Sequence, residues 1–557
     1  MKKVIGKRIT RRVLVLSFLA FAALVCIMGR DMRQEALEAA AMQEAETGEQ
    51  VLRVNIYGGD MTGCRSEAFW HTEEEERYFL FLPDWAYEEQ GVVLSFSKEV
   101  EMEGRTLPAD EKIYQEKRQF TIKDEEREYA VEAVRLSKLP SIYIDTESGS
   151  LESIGADKHY RESIKAVVLD ETGRGKKDLT GKIKCRGNAS FAYAEKKSYE
   201  IEFDTDMDLY GMGAAGKWIL LANYFDPTYL RNGITFYMAE RMGMEGTPEF
   251  CWVDVFANGE YQGNYLLCEK VEIHKERLDI NNLEMGQGII NNKEVADRAG
   301  FSVLSEDGEA VVKKGFRWEQ EPEDISGGYL LELESIASRY EEEESGFISD
   351  GGQMAVLKSP KRASAAQVEY ISGLYQEFED AVRSLEEPEA LLEYIDLESF
   401  VKKYLIEETV KNKDASVSSL YLYKPEDERS SRLFAGPVWD YDNAYGNDDK
   451  EILYSPEGIF VRDAHYGTAF WSDLCRNPYF MEEVRSVYEE ELFPILSAEV
   501  EEQIIQWKGL IWQSVYADVL RWNGKNQADS FDYDGKVAEV AEFIRLRAEY
   551  LKEEWAG

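Results

Sequence analysis

Residues 432–447 read R-L-F-A-G-P-V-W-D-Y-D-N-A-Y-G-N. The apolar residues Leu433, Phe434, Val438 and Trp439 predict a buried strand, with Gly436 and Pro437 marking a bend or an edge. Two carboxylates follow, Asp440 and Asp442. Side chains two apart on a strand share a face, so this spacing predicts that their oxygens converge. Like charges held that close repel unless one is protonated or a cation lies between them. Hard oxygens at a strand end suit Mg²⁺ or Mn²⁺, which need few protein ligands when phosphate oxygens complete the shell. A calcium loop of the EF-hand kind is excluded, because Ala444 and Tyr445 stand where it needs Asp or Asn and then Gly.

Further blocks occur in order along the chain: C-R-G-N-A-S-F from 185 and K-K-S-Y-E-I-E-F ending at 203, K-W-I-L-L-A-N-Y-F-D at 217–226, L-R-N at 230–232, D-V-F-A-N-G-E-Y-Q-G-N-Y-L-L-C-E-K-V-E-I at 254–273, G-G-Y-L-L-E at 327–332 and Y-L-I-E-E-T-V-K-N-K-D at 404–414. With W-D-Y-D-N-A-Y-G-N they resemble the CotH family, atypical kinases first described as spore coat protein H. The resemblance extends over roughly 139–550. It implies an α+β fold: an atypical protein-kinase-like two-lobed core at 139–465, with a helical C-terminal part at 466–557.

The resemblance also implies a site. ATP with Mg²⁺ or Mn²⁺ would be the cofactor pair, with Asp440, Asp442 and Asn412 on the metal. Asp414, on a loop after a helix, would be catalytic together with Asp440, positioning the acceptor hydroxyl. Lys196 or Lys197 would neutralise phosphates, and Glu269 would order that lysine or a metal. Trp439 falls among the cofactor contacts. Arg186 either holds a phosphate with its fork or pairs with a core carboxylate. Arg231 and Asn232 either brace the site or pack. The activity implied is an extracytoplasmic kinase acting on Ser or Thr of surface or coat proteins. The alternative is a surface binding protein with a degenerate kinase fold, which the intact D-x-D, K-K and N-x-D blocks disfavour.

Composition narrows the classes. With 65 basic against 108 acidic residues the chain carries a net charge of −43, which excludes a phosphate-binding surface of the nucleic-acid kind. Four histidines, with no G-x-S-x-G and no H-E-x-x-H, disfavour acyl-transfer triads and histidine-zinc chemistry. Six cysteines without C-x-x-C are neither a zinc pattern nor a disulfide scaffold.

At the N-terminus a basic segment (1–12) precedes an apolar run (13–29), which predicts a signal anchor, a single membrane pass and export of the remainder. Cleavage near Ala39–Ala41 is the rival. Residues 30–48 read as a linker. Period-two patterning over 49–138 predicts a small β-sandwich. Asp226-Pro227-Thr228 starts a helix to about Met242. Asn258-Gly259 predicts a two-residue hairpin. Gly211–Gly216 matches G-x-G-x-x-G but precedes a strand, so it is rejected as a dinucleotide site. Residues 284–326 read as a mobile insertion, and 364–410 as helical.

Overall fold

Asn258 and Gly259 both take positive φ, 52° and 92°, and join strands Phe250–Ala257 and Glu260–Glu269 through a two-residue turn. This is the backbone that Asn-Gly accommodates with least strain. The hairpin belongs to a closed seven-stranded barrel with Ser141–Thr146, Glu162–Leu169, Lys177–Arg186, Ser198–Asp208 and Ala214–Leu221. Closure is made by parallel pairing of Ser141–Thr146 with Phe250–Ala257. Gly216 of the G-x-G-x-x-G stretch lies inside a barrel strand rather than opening a helix.

The structure is a computed structural model describing residues 54–555 apart from 58–64, 68, 72–76, 89–91, 116, 125–127, 176, 287–300, 308–309, 317–323, 385–387, 416 and 464–469. The apolar run 13–29 lies outside the described residues. Among those described, no helix is long and apolar enough to cross a membrane, which corrects the single-pass membrane placement read from the sequence.

The barrel strand Glu162–Leu169 is apolar on both faces from Ala166 onward, because both faces are covered there. Ile164, Ala166 and Val168 join the barrel interior with Trp218 and Leu267. Val167 and Leu169 face outward, in a cluster with Phe79 and Phe81 of the N-terminal module and Leu520 of a C-terminal helix. That module, expected as a small sandwich, has a four-stranded and a six-stranded sheet sharing one core around Leu80, Leu94, Phe96 and Ile122.

A second seven-stranded sheet includes Tyr329–Glu334, Met354–Ser359, Leu420–Lys424 and the short strand Phe434–Ala435. The stretch expected as an insertion supplies two of its strands, Phe301–Asp307 and Ala310–Phe316, because Lys313 and Lys314 pair with Phe347 and Gly346. The helical period over 364–410 resolves into several helices. Ala365–Arg383 opens with a Ser364–Gln367 capping box, and Leu397–Val410 is capped by Asp396, which accepts from Ser399 N at 2.9 Å.

Helix Val500–Asn523 lies against the barrel. Ser514 Oγ donates to Asp254 Oδ2 at 2.8 Å, and Ser514 N donates to Ser137 Oγ at 3.0 Å. Four residues on, Asp518 accepts from Asn264 N at 2.8 Å. Gly263 permits that approach: at φ +113° a Cβ there would stand 2.2 Å from Asp518 Oδ2. The mixed α+β class is what the chain adopts.

Candidate active site

A cavity of about 960 Å³ opens between the barrel's outer face and the second sheet. Asp414, Asp440 and Asp442 lie on its wall. The strand expected to carry the two later aspartates ends at Ala435, which corrects that reading. Asp440 instead sits in a loop with left-handed backbone, φ 72°, as does Ser419 at φ 58°, whose Oγ donates to Asp440 Oδ2 at 3.1 Å. Non-glycine residues hold such a backbone only where the surroundings over-determine it.

Those surroundings come from distant parts of the chain. Asp226 accepts from Thr228 N at 2.9 Å and from Arg231 N at 2.9 Å, so the following helix begins at Arg231, later than the sequence predicts. Asn232 Oδ1 accepts from Tyr441 N at 2.8 Å, and Arg231 Nε donates to Ala444 O at 3.0 Å. The L-R-N stretch therefore braces the acidic loop. Asn447 Nδ2 bridges Asp442 O at 2.7 Å and Phe225 O at 2.8 Å. From below, Tyr441 donates its hydroxyl to Glu407 Oε1 at 2.8 Å, and Tyr445 N donates to Val410 O at 2.8 Å.

The carboxylates feel burial and one another. Burial, and then Asp440, push the Asp414 carboxyl up to about 6. Asp442 is raised well above the usual range by burial, then by Asp440, Asp226 and Asp414. Burial raises Asp440 too, opposed mainly by Arg186. Asn412 is buried, and its Oδ1 accepts from Asp414 N at 3.0 Å. It orients Asp414 and does not line the cavity.

The barrel's side of the cavity carries both charges, with Arg186, Lys184 and Lys270 beside Glu200, Glu202 and Glu272. Arg186 lies 4.9 Å over the Trp439 ring, and both face the cavity. Beside it, Glu200 is paired with Lys270 at 3.2 Å and Lys184 at 3.4 Å. Burial opposes ionisation of Glu200, but Lys270 and Lys184 outweigh it and hold the carboxyl down at about 2. Lys184, Glu200 and Lys270 are not among the residues expected at the site from the sequence. The alternation K-I-K-C-R at 182–186 carried a signal: Lys184 shares a strand face with Arg186 and stands opposite Glu200.

Three expected residues lie elsewhere. Lys196 is enclosed, with its ammonium on Asp518, Asn264 O and, at 3.0 Å, Ala222 O. All its donors are thus committed to the seam between the barrel and helix Val500–Asn523. Lys197 Nζ donates to Phe191 O at 2.7 Å. Glu269 accepts from Glu249 N at 3.0 Å and stands 3.5 Å from Arg277. None of the three lines the cavity.

Among the described residues no group of three or more His, Cys, Asp or Glu side chains is placed to hold a metal by itself. A cation that arrives with a nucleotide asks for less: one or two carboxylates, with phosphate oxygens and water completing the shell. Asp440 and Asp442, both raised by burial and lining one cavity with Arg186, Lys184 and Lys270, fit that donor set.

No curated protein matches the chain. Residues 183–551 match the family model described as CotH kinase protein, a span holding the barrel's later strands, the acidic loop and both cavity walls, and the chain belongs to that family.

Proposed function

We propose that this chain is an ATP-dependent protein kinase that transfers the γ-phosphoryl group to a Ser or Thr hydroxyl of a protein. The observation that carries the reading is that Asp414, Asp440 and Asp442 line one cavity together with Arg186 and the Lys184–Glu200–Lys270 cluster. In this reading the barrel forms one lobe, and the second sheet with the helices forms the other.

Phosphoryl transfer needs positioning and charge neutralisation rather than a covalent nucleophile. Arg186 presents a planar fork, already oriented by Trp439, to phosphate oxygens. Lys270 and Lys184 add positive charge, and Glu200 keeps both ammonium groups in place. Asp440 and Asp442 hold Mg²⁺ or Mn²⁺, which offsets the charge of the phosphates when bound. Asp414 accepts the proton of the acceptor hydroxyl as its oxygen bonds to phosphorus and the bond to ADP breaks. A carboxyl at about 6 is mostly ionised at neutral pH yet basic enough for that task.

The test is the full chain with ATP and Mn²⁺ or Mg²⁺, reading autophosphorylation and transfer to a generic protein by intact mass. A metal-dependent gain of phosphate in the parent, absent from folded Asp440→Ala and Asp414→Ala, is the expected result. Absence of both phosphate gain and nucleotide binding in the parent overturns the reading.

A further inference from the structure

Asn223 lies on the wall of the same cavity, only 6 % exposed, in left-handed backbone at φ 51°. Neither its Oδ1 nor its Nδ2 finds a hydrogen-bond partner among the described residues. A buried amide with both ends unpaired is costly, and in a native fold it calls for an explanation. The backbone keeps it there. Asp226 N donates to Asn223 O at 3.0 Å, closing a turn, and Asn447 ties that turn at Phe225 O to Asp442 O. The unpaired amide thus belongs to a turn strapped directly to the acidic loop.

We infer that Asn223 is a ligand-binding residue of this site, taking a metal–nucleotide phosphate: Nδ2 donates to a phosphate oxygen while Oδ1 faces the cation or its water. A cation–phosphate unit offers an electropositive and an acceptor partner side by side, which is what the two amide ends lack. The edge of a base offers such a pair too, but the strap to Asp442 places Asn223 with the carboxylates. The inference rests on the kinase reading. It also gives the cavity an amide, the part that Asn412 was expected to play.

The experiment measures Mn²⁺·ADP affinity by titration calorimetry and the thermal midpoint of the ligand-free full chain, for the parent, Asn223→Gly and Asn223→Asp. Glycine fits φ 51° without strain and removes the amide. Asn223→Gly is expected to weaken Mn²⁺·ADP by about ten- to a hundredfold, the size of a lost hydrogen bond to a charged group, while its ligand-free midpoint stays within about 2 °C of the parent. Asn223→Asp is isosteric and keeps the acceptor but turns the donor into a second anion. It is expected to bind Mn²⁺ alone as well as the parent does and Mn²⁺·ADP at least tenfold more weakly.

Parent-like Mn²⁺·ADP affinity in both variants overturns the assignment and leaves the kinase reading standing. A large fall in the ligand-free midpoint of both variants also overturns it, since Asn223 would then serve the fold. If the parent binds no Mn²⁺·ADP, the assignment falls, and the kinase reading falls with it when ATP also yields no phosphate gain.

Discussion

Arg547 Nη2 meets Glu408 Oε1 at 2.7 Å, with both side chains wholly enclosed. Glu408 also accepts from the backbone N–H groups of Phe460, Val461 and Arg462 at 2.7, 2.9 and 3.0 Å. Arg547 donates further to Pro456 O at 2.9 Å and Gly458 O at 2.6 Å. The pair joins the last helix, Tyr533–Trp555, to the helix that leads into the Asp414 loop.

Arg547→Met removes the cation and strands a buried carboxylate. Breaking one side of such a pair costs about 3–5 kcal/mol. The thermal midpoint of Arg547→Met should therefore fall by many degrees, and adding Glu408→Gln should recover part of the loss. A midpoint within about 1 °C of the parent in the single variant would show that the pair adds little.

Lys196 and Lys270 should separate stability from nucleotide binding. Lys196→Met leaves Asp518 enclosed with, among the described residues, only Asn264 N and Tyr229 OH as hydrogen-bond partners, the latter at 3.0 Å. Its midpoint should drop, while KM for ATP in the folded protein stays within about twofold. Lys270→Met takes one of two lysines from the buried Glu200, so its midpoint should fall, but by less than that of Lys196→Met, since the Lys196 ammonium is fully enclosed. The KM of Lys270→Met for ATP should rise about tenfold, the equivalent of about 1.4 kcal/mol. The reverse pattern would return Lys196 to the phosphates.

The contrast shows what was legible in the chain. Asp414, Asp440 and Asp442 were singled out by neighbours within a few residues, and the structure places all three on one cavity. Asn258-Gly259 could be found because its turn is a local property. Where Lys196 points could not be read, because Asp518, its partner, lies more than 300 residues downstream. The left-handed backbone of Asp440 was hidden for the same reason: Ser419 and Asn232 impose it from other elements. Lys184 and Glu200 needed the register of their hairpin, after which they face one another. Asn223 lies within the block at 217–226, but nothing there singles it out, since what marks it is the absence of partners among the described residues after folding.

Asp254 supplies a pH dependence of stability. Burial pushes its carboxyl up to about 7, although hydrogen bonds from Tyr261 and Ser514 at 2.8 Å work the other way. An unfolded aspartate titrates near 3.9. Between about pH 4 and pH 7 the folded state therefore holds a proton that the unfolded state has lost. The stability linked to that proton is fully present below about pH 4 and is lost as pH rises through about 7, by at most about 1.4 kcal/mol per pH unit. Glu200, held at about 2, acts with opposite sign and in a lower window: its contribution is present above about pH 4.5 and lost as pH falls toward 2. The urea midpoint of Asp254→Asn should vary less between pH 4 and 7 than the parent's. Identical slopes would remove Asp254 as a source.

Asp414 and Asp440 should fail differently. Asp414 is oriented by Asn412 through its own backbone N–H and is assigned to the acceptor hydroxyl, not to the nucleotide. Asp414→Asn keeps the shape and removes the base, so kcat should fall by about 10²–10⁴ while Mn²⁺·ADP affinity changes little. Asp440→Asn retains an acceptor for Ser419 but loses the charge assigned to the cation. It should lose Mn²⁺·ADP affinity and turnover together. Stopped-flow rates with calorimetry on both variants would decide: equal losses of nucleotide affinity in the two would mean that Asp414 also contacts the metal–nucleotide, and its assignment to proton transfer alone would be withdrawn.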